Sequence, residues 1–384
     1  MGLKPLLKAE QFDRYQRHLN LPEFGVDGQR KLLEGSVLLV GAGGLGCPSA
    51  LYLAAAGVGR IGLIDDDVVD LSNLQRQILY GTPDVGRLKV EVAKERVAHL
   101  NPEVNLEIHA TRLNSDNALD LLRDYDVIVD GTDNFSTRYL TNDACSLLGK
   151  PCVYGAILRF EGQVSVFDAQ RGPCYRCLFP EPPPAGSVPS CAEGGVLGVL
   201  PGVVAMLQAT EAVKLLAKIG EPLLGRFIQY DALDMRFSEF RFSKDPLCPI
   251  CGKNPTLFAL SDYDEFCGVS QSLSMDIQGI SGVALNEMRM RGAEHLLLDV
   301  RDLDEVDRAK IGGAVLIPLS QLESRFPEID DWKERLVVVH CHKGSRSEKA
   351  CQLLALQGFS NVRNLEGGID AWALTVDSDV ARYD

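Results

Sequence analysis

Short unbroken apolar runs alternate along this chain with segments of helical spacing. Residues 36–40 (Ser-Val-Leu-Leu-Val) form such a run, and a glycine-rich turn leads from it into an Ala-rich helix over 47–56. The alternation continues with a run at 61–65, a helix around 89–100, and runs at 104–108 and 126–130. A strand buried on both faces reads as a continuous apolar run, and strands alternating with helices predict a parallel sheet covered on both sides. Residues 9–20 read as a polar helical arm ahead of the first strand. Residues 151–167 read as strands with little helix between them, so the sheet is expected to become mixed. The proline-rich stretch 180–189 is a loop, followed by a long helix over about 196–218 and two strands at 226–230 and 235–242. Periodicity then weakens. Beyond it, apolar runs at 295–299, 314–317 and 336–340 again alternate with helices. The pattern predicts an α/β chain with a first domain over 1–253, a linker over 254–274 and a small second domain over 275–384.

Composition narrows the partners. A hydrophobic share of 46% in 384 residues supplies apolar side chains for two cores. The formal net charge of −14 argues against nucleic acid or an anionic membrane as a general partner, since either needs a basic face. The opening MGLKPLLKAEQFDRYQRHL lacks the charged-then-apolar pattern of a signal peptide, and no run approaching the roughly 18 apolar residues of a membrane span is expected. The expected location is the cytoplasm. Eleven cysteines in such a chain point to metal binding, catalysis and packing before a disulfide framework.

Gly41-Ala42-Gly43-Gly44-Leu45-Gly46 follows a strand and opens a helix, fitting G-x-G-x-x-G in its proper context. Glycines there let backbone N–H groups approach a phosphate at the positive end of the helix. Asp65 ends the next strand, where an acid that binds ribose belongs. These features alone fit a dinucleotide site as well as a mononucleotide one. Ser72-Asn73-Leu74-Gln75-Arg76-Gln77, with Lys89 beyond, is a cluster that a dinucleotide does not require. A triphosphate needs fixed cations as pyrophosphate leaves, and Arg17 on the N-terminal arm is a further cation. Asp133 and Asn134 follow the fourth strand; Asp133 is suited to hold Mg²⁺ against phosphates, and either residue can instead cap the next helix.

Taken together, the glycine loop, the acidic strand end, SNLQRQ, Lys89 and DGTDN resemble the MoeB/ThiF adenylyltransferases, relatives of the ubiquitin-activating enzymes. The resemblance covers essentially the whole first domain. It implies a Rossmann-like adenylating fold in which Gly44, Asp65, Asn73, Arg76, Lys89 and Asp133 bind ATP and Mg²⁺. It also implies a homodimer in which Arg17 is donated across the interface. The substrate it implies is the C-terminal carboxylate of a small β-grasp carrier ending in Gly-Gly.

Cys174-x-x-Cys177 and Cys248-x-x-Cys251 supply four thiolates in two close pairs, suited to tetrahedral structural Zn²⁺; the resemblance implies the same four ligands. Cys191, between the proline-rich loop and the long helix, is either a reactive thiol with a lowered pKa or a small buried hydrophobe. Its position resembles the conserved loop cysteine of the family. Cys47, Cys145, Cys152 and Cys351 read as packing, and Cys267 has no assigned role.

In the second domain Cys341-His-Lys-Gly344-Ser-Arg346-Ser347 joins a strand to a helix. Successive backbone N–H groups at such a junction cradle a thiolate or persulfide, and Arg346 is expected to add a fixed cation. Only four residues separate Cys341 from Arg346, one fewer than in cysteine phosphatases, so the cradle suits one sulfur better than a phosphate. With Leu298-Asp299-Val300-Arg301 and Leu365-Glu-Gly-Gly368-Ile-Asp-Ala-Trp372, this loop resembles the rhodanese family over about 275–375, which implies a persulfide on Cys341. The two chemistries fit one reaction: adenylation of a sulfur carrier, then sulfur transfer from a persulfide or thiosulfate donor to make a thiocarboxylate. The resemblance implies a place in a molybdopterin, thiamin, cysteine or tRNA-thiolation sulfur pathway, and the sequence does not choose among them. Two other readings remain, a nicotinamide-dependent oxidoreductase carrying a rhodanese module and a non-enzymatic adaptor.

Overall fold

A computed structural model of the chain describes residues 7–183, 194–261, 263–267 and 277–383. It divides into two compact units, Met1–Ser270 and Gln271–Asp384.

The first unit is built on an eight-stranded sheet of order β3-β2-β1-β4-β5-β6-β7-β8. Its strands are β1 Ser36–Val40, β2 Arg60–Ile64, β3 Asn105–His109, β4 Val127–Asp130, β5 Cys152–Leu158, β6 Glu161–Phe167, β7 Arg226–Asp231 and β8 Arg236–Arg241. From β3 to β5 neighbours run parallel; β6, β7 and β8 are added antiparallel. The helices are α1 Ala9–Leu19, α2 Gly25–Glu34, α3 Gly46–Ala56, α4 Lys89–Leu100, α5 Ala118–Arg123, α6 Phe135–Leu148, α7 Tyr175–Leu178, α8 Leu200–Ala217 and α9 Tyr263–Phe266. Strand β1 is buried along its whole length, which is why it reads as a continuous apolar run. Its side chains alternate between two cores. Val37 and Leu39 pack in one with residues of α3, α4 and α8, and Leu38 and Val40 in the other with residues of α5 and α6.

Helix α8 is 18 residues long with a mean hydropathy of 1.3, so by length and composition a span-like segment is present where none was expected. It packs against α3, β5 and β6 and contributes Leu200, Val204, Ala205 and Ala212 to the first core. A helix covering one face of a sheet beneath other helices is apolar for that reason alone.

The segment expected to link the domains differs as well. Tyr263 and Cys267, spaced i and i+4, are 4% and 7% exposed and belong to the second core of the first unit. The Tyr263 hydroxyl donates to the buried Asp143 carboxylate (2.8 Å). Packing is therefore the role of Cys267, and the first unit extends past residue 253.

The second unit has a five-stranded sheet of order β11-β10-β12-β13-β9, parallel throughout. Its strands are β9 Gly279–Ile280, β10 Leu296–Asp299, β11 Val315–Leu316, β12 Val337–His340 and β13 Val362–Leu365. Helices α10 Gly282–Met290, α11 Leu303–Arg308, α12 Leu322–Arg325, α13 Ser345–Leu356 and α14 Gly368–Thr375 accompany them. Cys341 stands at the carboxyl end of the central strand β12, where open α/β sheets place their ligand crevice.

Candidate active sites and metal centre

The strand order places the first site at the switch point between β1 and β4. Gly41 leaves β1 with φ +95°, and a Cβ there would lie 3.1 Å from the Gly131 carbonyl that follows β4. A Cβ on Gly46 would overlap the Gly41 carbonyl at 1.9 Å. The chain therefore closes into a tight loop at the start of α3, with open space at Gly43, while a Cβ on Gly44 would meet the Pro201 side chain at 3.2 Å. Arg76 and Gln77 approach that space: positions for a Cβ on Gly44 and Gly43 lie 3.7 Å from Arg76 Cγ and 3.8 Å from Gln77 Nε2.

Asp65 fixes the loop. One carboxylate oxygen accepts from the Ala42 N–H (2.8 Å) and the other from the Asp67 N–H (2.9 Å). Burial raises the Asp65 carboxyl against the opposing pull of Lys89. Lys89 is 5% exposed, with its ammonium 2.6 Å from Asp67 and 3.8 Å from Asp65. The Asp70 carboxylate organises the next turn by accepting from the Ser72 N–H and hydroxyl, while Asn73 Oδ1 accepts from the Asp70 N–H. Arg76 donates to the Ser72 carbonyl (3.1 Å). Leu74 lies within this turn, and the Gln75 carbonyl sits against Gly198, close enough that a Cβ there would meet it at 2.5 Å. After β4, Asn134 Oδ1 accepts from the Thr137 N–H (2.9 Å), so Asn134 caps α6; Asp133 beside it is exposed.

Glycine loop, Asp65, Arg76 and Lys89 thus converge, but Arg17 does not join them. Its helix α1 is anchored by Tyr15, which accepts from Asn101 (2.9 Å), and by Arg14, which donates to the Leu100 carbonyl (3.1 Å). Both contacts are at the far end of α4, and Tyr15 also abuts Gly57 at the far end of α3. An 11-residue helix is about 16 Å long, so Arg17 is held away from its own chain's loop. Cys191 lies outside the described residues. Gln77, quoted in the motif but given no role, is 4% exposed, and its Oε1 has no partner among the described residues. A buried acceptor or donor without a partner is uncommon, and beside an open glycine cradle it is a group that a nucleotide can satisfy.

The four cysteines of the two knuckles come together. Sulfur–sulfur distances are 3.5 Å for Cys174–Cys248, 3.4 Å for Cys174–Cys251, 3.3 Å for Cys177–Cys251 and 3.9 Å for Cys174–Cys177. Arg176, between the first pair, forms a buried two-armed contact with Asp143 of α6, which ties the knuckle to that helix. Cys47 and Cys351 are buried and their thiols are pushed up to about 12 by burial, as packing residues would be.

In the second unit Cys341 is 1% exposed. Its sulfur accepts from the Gly344 N–H (3.2 Å) and the Ser347 hydroxyl (3.4 Å). Gly344 adopts φ +104°, which aims its N–H back at the sulfur, and the Asn364 amide donates to its carbonyl (3.1 Å). Arg346 is expected to add a fixed cation beside Cys341; its two arms hydrogen-bond Glu305 at 2.6 and 2.7 Å, and it interacts electrostatically with Cys341. Ser347 was part of the quoted motif without a role; Glu305 and Tyr383, which join this network, carried no sequence signal.

Comparison with known proteins now decides the family. The ThiF family model matches residues 15–250. The chain belongs to the ThiF family. A rhodanese-like domain model matches residues 283–375 of this ThiF-family chain. The probable adenylyltransferase/sulfurtransferase MoeZ of Mycobacterium tuberculosis is 48% identical over 98% of this chain and 96% of its own length. The sulfur carrier protein adenylyltransferase of Thermus thermophilus is 55% identical over 68% of this chain and 98% of its own. Among solved structures, E. coli MccB with MccA-N7isoASN superposes with a TM-score of 0.56 at 25% identity, covering 63% of this chain and 75% of that one. This ThiF-family chain is an adenylyltransferase and a sulfurtransferase.

The cysteine cluster of the ThiF-family unit fits zinc. With Zn–S bonds near 2.3 Å, the edges of a sulfur tetrahedron are about 3.8 Å, and the four contacts above scatter around that value on the short side. Cys174, Cys177, Cys248 and Cys251 would hold the ion, which would supply cross-linking of the fold and no chemistry, since four protein ligands leave no open position. Metal analysis of the purified chain is expected to return one zinc per chain. Cys174→Ser with Cys248→Ser is expected to lose the zinc and lower thermal stability.

Proposed function

We propose that this chain activates the C-terminal glycine carboxylate of a small ubiquitin-like sulfur carrier with ATP and then converts it to a thiocarboxylate. The reading rests above all on one observation: a ThiF-family adenylating unit shares its chain with a cysteine cradled by backbone and hydroxyl donors at the end of a rhodanese strand. An activated carboxyl and a sulfur nucleophile are the two halves of one reaction.

In the first step the carrier carboxylate attacks the α-phosphorus of ATP, and pyrophosphate leaves. The glycine loop (Gly41, Gly43, Gly44, Gly46) and the turn Ser72–Gln75 receive the nucleotide. Asp65 holds the ribose side, and Arg76 and Lys89 oppose the charge that grows as pyrophosphate departs. Asp133, exposed at the crevice, would hold Mg²⁺, which supplies charge neutralisation at the phosphates; Asn134 beside it serves as the helix cap. In the second step the terminal sulfur of a Cys341 persulfide attacks the acyl carbon and AMP leaves, giving an acyl disulfide. A thiolate then attacks Cys341 Sγ, forming a disulfide there and releasing the thiocarboxylate; Cys191 is the candidate for that thiolate. Arg17 would reach the nucleotide only from a second copy, which supports a homodimer. A cytoplasmic location is consistent with unoxidised thiol chemistry.

Capture of carriers on the wild-type chain with ATP, followed by intact-mass measurement, tests this reading. A small protein ending in Gly-Gly that gains the sulfur-for-oxygen mass difference is expected. If the captured proteins bear AMP but never sulfur, even with a persulfide donor present, the second half of the proposal fails.

A further inference from the structure

The Arg346 fork has a cause that the sulfur chemistry alone does not require. Glu305 stands at the third position of α11, where its carboxylate reaches back to the N–H of the capping residue Asp302 (3.3 Å). The Tyr383 hydroxyl donates to the same carboxylate (3.1 Å) and itself accepts from Arg301 (2.6 Å), a fully buried arginine clamped on Asp299. Tyr383 also stacks flat on His342, the residue after Cys341, with ring centres 4.3 Å apart. Glu305 is thus placed before any ligand arrives. Arg346 holds its carboxyl down to about 2, so it is ionised at any physiological pH. Asp302 adds a second carboxylate 3.9 Å from Arg346. Two acids face one guanidinium, and among the described residues the hydrogen bonds that reach the Cys341 sulfur come from one N–H and one hydroxyl, both uncharged.

We infer that Glu305 is a specificity-determining residue of the Cys341 site: by occupying both arms of Arg346 it turns the cradle away from small dianionic sulfur donors such as thiosulfate and towards a cysteine persulfide. The inference rests on Cys341 being the sulfur-carrying residue. With thiosulfate, the Cys341 thiolate attacks the outer sulfur, the sulfur–sulfur bond breaks, and sulfite leaves with the electron pair. The donor and leaving group both carry two negative charges, and an Arg346 whose arms and charge are matched by Glu305 offsets them less than a free one would. With a cysteine persulfide, the same attack on the terminal sulfur expels a singly charged cysteine thiolate, for which N–H and hydroxyl donors suffice.

The experiment measures persulfide formation on the full-length chain with thiosulfate or cysteine persulfide as donor and cyanide as acceptor. Glu305→Gln is expected to lower the KM for thiosulfate roughly ten- to hundredfold, the worth of one charge-assisted contact regained, and to move the KM for cysteine persulfide much less. Glu305→Asp, which keeps the charge, is expected to retain the wild-type preference. Glu305→Gln with Asp302→Asn removes both competing acids and is expected to shift the preference at least as far. Tyr383→Phe, which removes one support of Glu305, is expected to shift it in the same direction by less and serves as the check if Glu305→Gln folds poorly. Unchanged thiosulfate KM in Glu305→Gln and in the double variant, with Cys341 still charging, overturns the inference. Thiosulfate turnover by Cys341→Ala overturns instead the reading beneath it.

Discussion

Cys341→Ala is expected to leave carrier adenylation at the wild-type rate and to abolish thiocarboxylate formation. Adenylation joins a carboxylate to a phosphorus and uses no thiol, so nothing in the first unit's chemistry depends on this side chain. The sulfur step has no substitute nucleophile in the second unit: among the described residues, its other cysteine, Cys351, is fully buried in helix α13 with its thiol raised by burial. The cradle donors, Gly344 N–H and Ser347 hydroxyl, converge on Cys341 alone. Intact-mass measurement of enzyme and carrier after incubation with ATP and a persulfide donor reads both steps together. The variant should yield carrier adenylate, no persulfide on the second unit and no thiocarboxylate. Thiocarboxylate at the wild-type yield would reduce the second unit to a docking module.

Arg76→Ala and Lys89→Ala are each expected to slow carrier-dependent ATP–pyrophosphate exchange by about 10²–10³, the usual loss when one preorganised charge is removed from a transition state. The two substitutions differ in what they leave behind. Arg76 is partly exposed and donates to one backbone carbonyl, so its loss should leave the fold and its thermal stability near normal. Lys89 is buried between Asp65 and Asp67. Its removal leaves Asp65, already raised by burial, without its compensating cation, and should weaken the loop that Asp65 pins at Ala42. Lys89→Ala is therefore expected to lose nucleotide affinity as well as turnover. Exchange at the wild-type rate in both variants would contradict the triphosphate assignment.

What could be read without coordinates was whatever is local. The run 36–40, the glycine turn and the helix after it are contiguous, and each follows from a short-range rule about burial, φ and helix ends. The cysteine pairs and the Cys341 loop are local in the same sense. What escaped was set by distant contacts. Strand β9 has two residues and β13 (Val-Arg-Asn-Leu) has two polar ones, so neither shows an apolar run; β13 is a strand because β12 supplies a paired edge, and β9 because β13 does. Tyr263 and Cys267 looked like linker because two apolar residues at i and i+4 make too short a stripe, until Asp143 and α6 complete it. Glu305 lies 41 positions from Arg346 and Tyr383 lies 78 positions from Glu305. No spacing rule links them, and only the packed sheet brings them to one loop. Arg17 was expected to act across an interface between two copies, and within its own chain α1 is tied to the ends of α3 and α4 opposite the glycine loop.

The most direct test follows one sulfur atom. The chain is charged on Cys341 with a heavy-isotope persulfide, freed of donor, and mixed with carrier and ATP for a single turnover. Carrier thiocarboxylate bearing the heavy isotope, formed only with ATP and in step with loss of the label from Cys341, is the predicted result. Label that stays on Cys341 while the carrier accumulates as adenylate, or a thiocarboxylate made with unlabelled sulfur, would contradict the account.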